Sequence, residues 1–257
     1  MSYCAGLFYR FYDGGSEGFV YPVILLHGAG TTHISWPPDL RRIAAHNIYA
    51  IDLPGHGKSN GPACRSMGTM TRRLHEFITQ MRFFHVVLVG FSLGGVLALD
   101  YARTHPARIK GIISISCGNR FSLPEGIFSF LRSPEDTDKV VSIFNLAAFH
   151  PHTSHSTRRE ILEPISKIQP GVLSADFQLS KNFRYQASGE SANFPVTIIG
   201  GSDDLITPPL SLRQLNQLIP GSSLKIIPNA GHMVVFEKTR RVRELAVNFL
   251  DSVSKAG

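Results

Sequence analysis

The sequence predicts an α/β protein, with a mostly parallel central sheet flanked by helices and one helical insertion. Three observations carry that prediction. Short apolar runs at 23–26, 48–51, 85–89, 109–115, 196–199 and 224–227 alternate with helical patterns, which marks βαβ units. The runs are rich in β-branched residues and bounded by Gly, Pro or Asp, as strands buried on both faces are. The alternation then breaks once, between 119 and 193, where no strand-like run occurs.

Residues 7–12 come first and alternate less cleanly, which suits an antiparallel edge strand. After the runs at 23–26 and 48–51, Met67, Met70, Leu74, Phe77, Ile78 and Met81 recur at spacings of three and four and predict a helix. The run at 85–89 leads into a helix starting near Leu93. Its segment 96–101 is apolar nearly all round, so this helix is expected to be buried against the sheet. The run at 109–115 closes the first half.

Within the break, Phe121, Leu123, Ile127, Phe128, Phe130 and Leu131 form an aromatic-rich stretch. Val140, Ile143, Phe144, Ala147 and Ala148 follow as an amphipathic stripe. The runs at 196–199 and 224–227 restore the sheet. A last helix carries Val242, Leu245, Ala246, Phe249 and Leu250 inward, with Arg241, Arg243 and Glu244 outward. The expected organisation is a core of 1–118 and 194–257, with 119–193 as a helical lid. The Met and Phe stripes read as core packing.

Composition narrows the class. The chain has 257 residues, 43% hydrophobic and 18% charged, which excludes a disordered chain. The longest apolar stretch, 85–99, is interrupted by Gly90, Ser92, Gly94 and Gly95 and falls short of the roughly 20 residues a bilayer requires. Cys4, Cys64 and Cys117 are few and far apart, which fits neither a disulfide framework nor a CxxC metal site. The opening MSYCAGLFYRFYDGG has no basic segment followed by an apolar one, so a cytoplasmic location is expected. The net charge is +7, but the basic residues are scattered and no run reaches the five or six of a nucleic-acid-binding arm. The remaining use for that charge is attraction for acidic ligands or an acidic carrier protein.

The chemistry is concentrated at strand ends, where open α/β sheets carry their sites. Gly90-Phe91-Ser92-Leu93-Gly94 sits between a strand and a buried helix, the context a nucleophile elbow requires. Glycines at 90 and 94 relieve the crowding of so sharp a turn, and the helix N-terminus favours negative charge at Ser92. His27-Gly28-Ala29-Gly30 follows the run at 23–26. Acyl transfer needs two backbone N–H groups aimed at a developing oxyanion, assigned here to Ala29, with Gly30 as the alternative, and Leu93. His27 reads as a loop brace. Among eleven histidines, His232 stands out, flanked by Gly231 just past the run at 224–227. It would be the general base, oriented by a carboxylate from Gly201-Ser202-Asp203-Asp204-Leu205-Ile206-Thr207-Pro208, where Asp203 and Asp204 compete. The histidines His150, His152 and His155 are not spaced for a zinc pair on one helix face.

With the order Ser92, Asp204, His232 in place, the sequence resembles the α/β-hydrolase superfamily. Asp52-Leu53-Pro54-Gly55-His56-Gly57-Lys58-Ser59 looks like its D-x-P-G-x-G-x-S segment. The acid loop resembles its G-x-x-D-x-I-x-P pattern, in which the aspartate four before the proline is the triad member, and this selects Asp204. The resemblance runs from about Leu7 to Leu250 and is weakest across the insertion. It implies a serine hydrolase similar to small bacterial carboxylesterases, including those acting on carrier-protein methyl esters, and to C–C hydrolases of ring-fission products. Ser92 would attack a small-molecule ester, with no metal or organic cofactor, and Phe121, Phe128 and Phe144 would line an acyl pocket beside Leu123 and Phe130. Acyl transfer, perhydrolysis and slow ligand sensing are the other uses of the same constellation.

Overall fold

The computed structural model describes residues 2–16, 20–124, 126–131, 136–186 and 193–255. In chain order the first half comprises β1 (Ser2–Cys4), β2 (Leu7–Tyr12), β3 (Val23–Leu26), α1 (Pro38–Arg41), β4 (Ile48–Ile51), α2 (Met67–Gln80), β5 (Val86–Phe91), α3 (Leu93–Thr104) and β6 (Ile109–Ile115). Among the described residues four helices follow: α4 (Ile127–Phe130), α5 (Thr137–Ala148), α6 (His155–Ser166) and α7 (Pro170–Asn182). The chain then returns to β7 (Val196–Gly201), α8 (Pro209–Leu218), β8 (Ser223–Ile227), α9 (Val234–Glu237) and α10 (Thr239–Lys255).

The strands form a single eight-stranded sheet in the order β1-β2-β4-β3-β5-β6-β7-β8. The pairings β1–β2 and β2–β4 are antiparallel and all the others are parallel. This is the α/β fold expected from the sequence. One detail differs. Residues 7–12 do not form the sheet edge, because β1 folds back outside them with Cys4 opposite Leu7. The two-residue turn between them holds Ala5 at φ 51° and Gly6 at φ 74°, the double positive φ that suits a tight hairpin. Three residues without an apolar pattern were too short to register as a strand.

Strand cores are buried on both faces, including all of β3 and β5, which explains their unbroken apolar runs. Helix α2 turns Met70, Leu74, Phe77 and Ile78 inward, and α10 buries Val242, Ala246, Phe249 and Leu250. Ser66 caps α2 by accepting from the Thr69 N–H, 3.2 Å. Helix α3 is buried along most of its length, as its all-round apolarity requires.

In the expected insertion, residues 125, 132–135 and 187–192 lie outside the described residues. Within it, Val140, Phe144, Ala147 and Ala148 are buried and Ile143 half-buried. They join the same hydrophobic cluster as the sheet, so the stripe on α5 is satisfied by packing onto the core.

Candidate active site

Strand order decides which loops meet. β3 lies beside β5 and β7 beside β8, so the Gly28–Gly30 loop borders the Ser92 turn and the acid loop borders the His232 loop. Two strands, β6 and β7, still separate β8 from β5. The His232 loop bridges that gap over Gly201, where a Cβ would lie 2.1 Å from the Ala230 carbonyl oxygen. Ser116, at the end of β6, donates its hydroxyl to the His232 carbonyl at 2.7 Å and secures the crossing.

Ser92 takes φ 52°, ψ −114°, a region costly for a residue with a side chain. The strain persists because its neighbours define it. A Cβ on Gly90 would meet the Gly94 carbonyl oxygen at 2.2 Å, and one on Gly94 would meet that of Leu26 at 2.0 Å. Strand β3, the elbow and α3 therefore approach at backbone contact. Gly94→Ala is expected to lower stability by about 1–3 kcal/mol through overpacking, read as a fall in the urea unfolding midpoint.

The expected residues come together. His232 Nε2 lies 2.9 Å from Ser92 Oγ, and His232 Nδ1 lies 2.9 Å from Asp204 Oδ2. A carboxylate only accepts, so Nδ1 carries the ring proton and Nε2 is left to take one from Ser92. Asp204 is also anchored through Oδ1, which accepts from the N–H groups of Ile206 and Thr207, both at 2.8 Å. The Thr207 hydroxyl donates to Oδ2 at 2.6 Å. Burial opposes ionisation of Asp204, but the His232 ring and the Thr207 donors hold its carboxyl below the ordinary value. Its neighbour Asp203 points elsewhere, with its side chain 45% exposed and the Ser202 hydroxyl donating to it at 2.5 Å. That settles geometrically which aspartate meets His232.

The backbone donors separate as clearly. Gly30 N–H is already used, donating to Asp176 Oδ2 at 2.9 Å. Among the described residues, neither Ala29 N–H nor Leu93 N–H has an intramolecular acceptor. His27 braces the loop from below. Its Nδ1 donates to the Gly28 carbonyl at 2.9 Å and its Nε2 accepts from Leu53 N–H at 3.0 Å. Burial and the nearby His56 push its pKa down to about 3, so the ring stays neutral.

Ala29, Ser92 and His232 border a small cavity walled by Phe91, Phe121, Leu123, Phe144 and Phe177, among others. Its volume of about 10 Å³ leaves room for no more than about one water molecule. Phe128 is not among the lining residues; the Lys181 ammonium sits 4.4 Å above its ring. Phe177, which the sequence reading passed over, lies against Phe144 with the ring centroids 5.6 Å apart and the planes tilted by 35°, and it lines the cavity where Phe128 does not. The signal was available: Leu173, Asp176, Phe177 and Ser180 recur at three and four on α7.

Glu237, by contrast, has no such signal in the sequence. Its carboxylate accepts from Gly231 N–H at 2.6 Å, from His150 N–H at 2.7 Å and from the Thr153 hydroxyl. It thereby ties the His232 loop to the coil after α5. His150 and His152 lie in that coil, and among the described residues no group of three or more metal-type side chains converges.

A buried serine, imidazole and carboxylate in line, with two unclaimed N–H donors alongside, is the equipment of acyl transfer. The family model described as alpha/beta hydrolase fold matches residues 21–239. The chain belongs to that family. As a hydrolase it is 26% identical over 251 residues to a putative 2-succinyl-6-hydroxy-2,4-cyclohexadiene-1-carboxylate synthase of Bacillus subtilis, covering 90% of each chain. It is 24% identical over 224 residues to a pimeloyl-[acyl-carrier protein] methyl ester esterase of Salmonella agona, covering 82% of this chain and 86% of that one. In structure it matches the enol-lactonase of Burkholderia xenovorans LB400 with a TM-score of 0.84 at 21% identity, covering 95% of this chain and 96% of the other. That structural likeness speaks for the fold. Among the described residues no helix is long and apolar enough to cross a membrane.

Proposed function

We propose that this hydrolase cleaves carboxylic esters through a covalent acyl-enzyme. The observation that carries the reading is the continuous hydrogen-bonded line from Ser92 through His232 to Asp204, beside the unclaimed N–H groups of Ala29 and Leu93. Ser92 Oγ attacks the ester carbonyl while His232 Nε2 takes its proton, and the oxyanion forms against the two N–H donors. His232 then protonates the departing alcohol. Water, deprotonated by the same imidazole, attacks the acyl-enzyme and frees the acid.

The apolar wall of Phe121, Leu123, Phe144 and Phe177 favours an apolar acyl chain, and helices α5 and α7 act as the lid. The cavity is too small for such a chain, so the Phe144–Phe177 contact must part as substrate enters. The named activity of the Salmonella relative and the net charge of +7 support an ester presented by an acidic carrier protein.

The test is a series of p-nitrophenyl esters from acetate to decanoate. A burst followed by steady turnover is expected, with kcat/KM rising roughly fourfold per methylene, from about 0.8 kcal/mol per buried CH₂, until the pocket is full. Phe144→Ala and Phe177→Ala should shift the preferred length upward. A burst without turnover would make the protein an acyl sensor. A flat length profile, unchanged in both variants, would remove the lid from specificity.

A further inference from the structure

A second buried histidine–carboxylate pair lies behind the oxyanion loop. His56, from the loop after β4, and Asp176, from α7, are both about 1% exposed. His56 Nε2 is 2.8 Å from Asp176 Oδ2, and His56 Nδ1 is 3.1 Å from the Pro54 carbonyl oxygen. Both ring nitrogens thus face oxygens that only accept, so the arrangement requires a proton on each nitrogen. The result is a buried imidazolium–carboxylate ion pair. Its neighbour His27, whose ring lies edge-on at 4.9 Å, is held neutral by the Leu53 N–H. Two adjacent buried histidines are therefore held in opposite charge states by what they face.

The same Asp176 oxygen accepts the Gly30 N–H at 2.9 Å. At the other end of the turn, the Gly28 carbonyl takes the His27 ring N–H, the Thr31 N–H and the Thr31 hydroxyl. The Gly28–Ala29 peptide is pinned through its carbonyl and the next peptide through the Gly30 N–H, and the Ala29 N–H is the one left over beside Ser92. From above, Leu173 of α7 and Ile165 of α6 press on Gly30, where a Cβ would meet them at 2.8 and 3.2 Å. Helix α7 also carries Phe177 and Ser180 into the Ser92 cavity. One helix therefore forms the pocket wall and holds the oxyanion loop.

We infer that the His56–Asp176 ion pair clasps the helical insertion to the oxyanion loop, and that Asp176 is a positioning residue that fixes Gly30 so that the Ala29 N–H is the donor presented to the reacting carbonyl. The inference deepens the esterase reading and rests on it for its kinetic readout. The clasp reports a closed lid directly to the catalytic machinery, because α7 cannot lift away without releasing Gly30.

The charged and titratable groups around the pair fit this assignment. Burial works against charge on His56, but Asp176, and more weakly Asp52 in its own loop, raise its pKa above the ordinary value. Asp52 is itself bonded to His33. The Cys64 thiol is raised chiefly by burial, with the Arg73 charge lowering it and that of Asp176 raising it. A raised pKa extends upward the pH range over which His56 carries its charge, and the clasp weakens as rising pH removes that proton.

Three measurements test this. In the wild type, ¹⁵N shifts of the His56 ring should show both nitrogens protonated at pH 7; a neutral tautomer there would overturn the ion pair without reference to any substrate. Asp176→Asn and His56→Gln should each lower kcat by about 10–100-fold per Ser92 titrated by a fluorophosphonate, with KM changed less than about threefold. The double variant should be no worse than either single one, since each single change strands a buried charge. A merely structural pair would lower the melting temperature and leave kcat per titrated Ser92 within twofold of the wild type, and that outcome would overturn the positioning role. If the wild type itself takes up no fluorophosphonate, the esterase reading fails, while the His56 shifts still decide the ion pair.

Discussion

Ser92→Ala is expected to lower kcat for a short-chain ester by about 10⁴–10⁶-fold while leaving the fold and its unfolding midpoint close to the wild type. Removing a triad nucleophile forfeits the covalent route altogether, leaving only binding and oxyanion stabilisation. The loss should be clean because Ser92 Oγ is bonded to His232 alone among the described residues, so its removal strands no buried partner other than a neutral ring nitrogen. Alanine also keeps a Cβ, so the φ of 52° is no more strained than before. In the wild type a fluorophosphonate should label Ser92 and no other serine. Labelling elsewhere, or ester turnover near the wild-type rate in the alanine variant, would refute the covalent mechanism.

The second large effect is at the acid. Asp204→Asn should cost about 10⁴-fold in kcat, because an amide at this position can present an N–H to His232 and enforce the wrong tautomer. Its Oδ1 could still accept the Ile206 and Thr207 N–H groups, so the loop should hold its shape and the loss should be catalytic. Asp203→Asn should change kcat little, since that carboxylate is half-exposed and does not face the imidazole. Because the Asp204 carboxyl sits below its ordinary value, it stays ionised through mildly acidic conditions. Its contribution to stability is present above the usual carboxylate pKa and is lost only as pH falls through the lower folded value. The reverse ranking of the two variants would show that Asp203, not Asp204, orients His232.

The pairing of residues was legible where local chemistry left little choice. Val23, Ile48 and Ile109 open strands that admit only buried β structure, and Gly90-Phe91-Ser92-Leu93-Gly94 marks a strand-to-helix turn. The choice of Asp204 over Asp203 was not a local matter. Adjacent carboxylates look alike in sequence, and the family pattern alone favoured one; the structure separates them because Thr207 bonds Asp204 on the side facing His232. Ala29 and Gly30 posed the same ambiguity, and a contact 146 residues away takes up the Gly30 N–H on Asp176 while leaving that of Ala29 without an intramolecular acceptor among the described residues. Phe128 and Phe177 show the opposite failure. Both are aromatic residues on insertion helices, and only the packing of α7 against α5 turns Phe177 toward Ser92 and leaves Phe128 under Lys181.

By itself the sequence determined the alternation of strands and helices, the strand-end positions of Ser92, Asp204 and His232, and the apolar character of the insertion. These follow from side-chain periodicity and from turns that only certain residues allow, which are properties of neighbours in the chain. Tertiary structure alone decided that β1 would cover β2, that Glu237 would tether the His232 loop, and that the insertion would close the cavity to about 10 Å³. It also made His56 and Asp176 a buried ion pair. Each of these depends on groups far apart in the chain meeting at hydrogen-bond distance, in an interior where an unpartnered charge is too costly to keep.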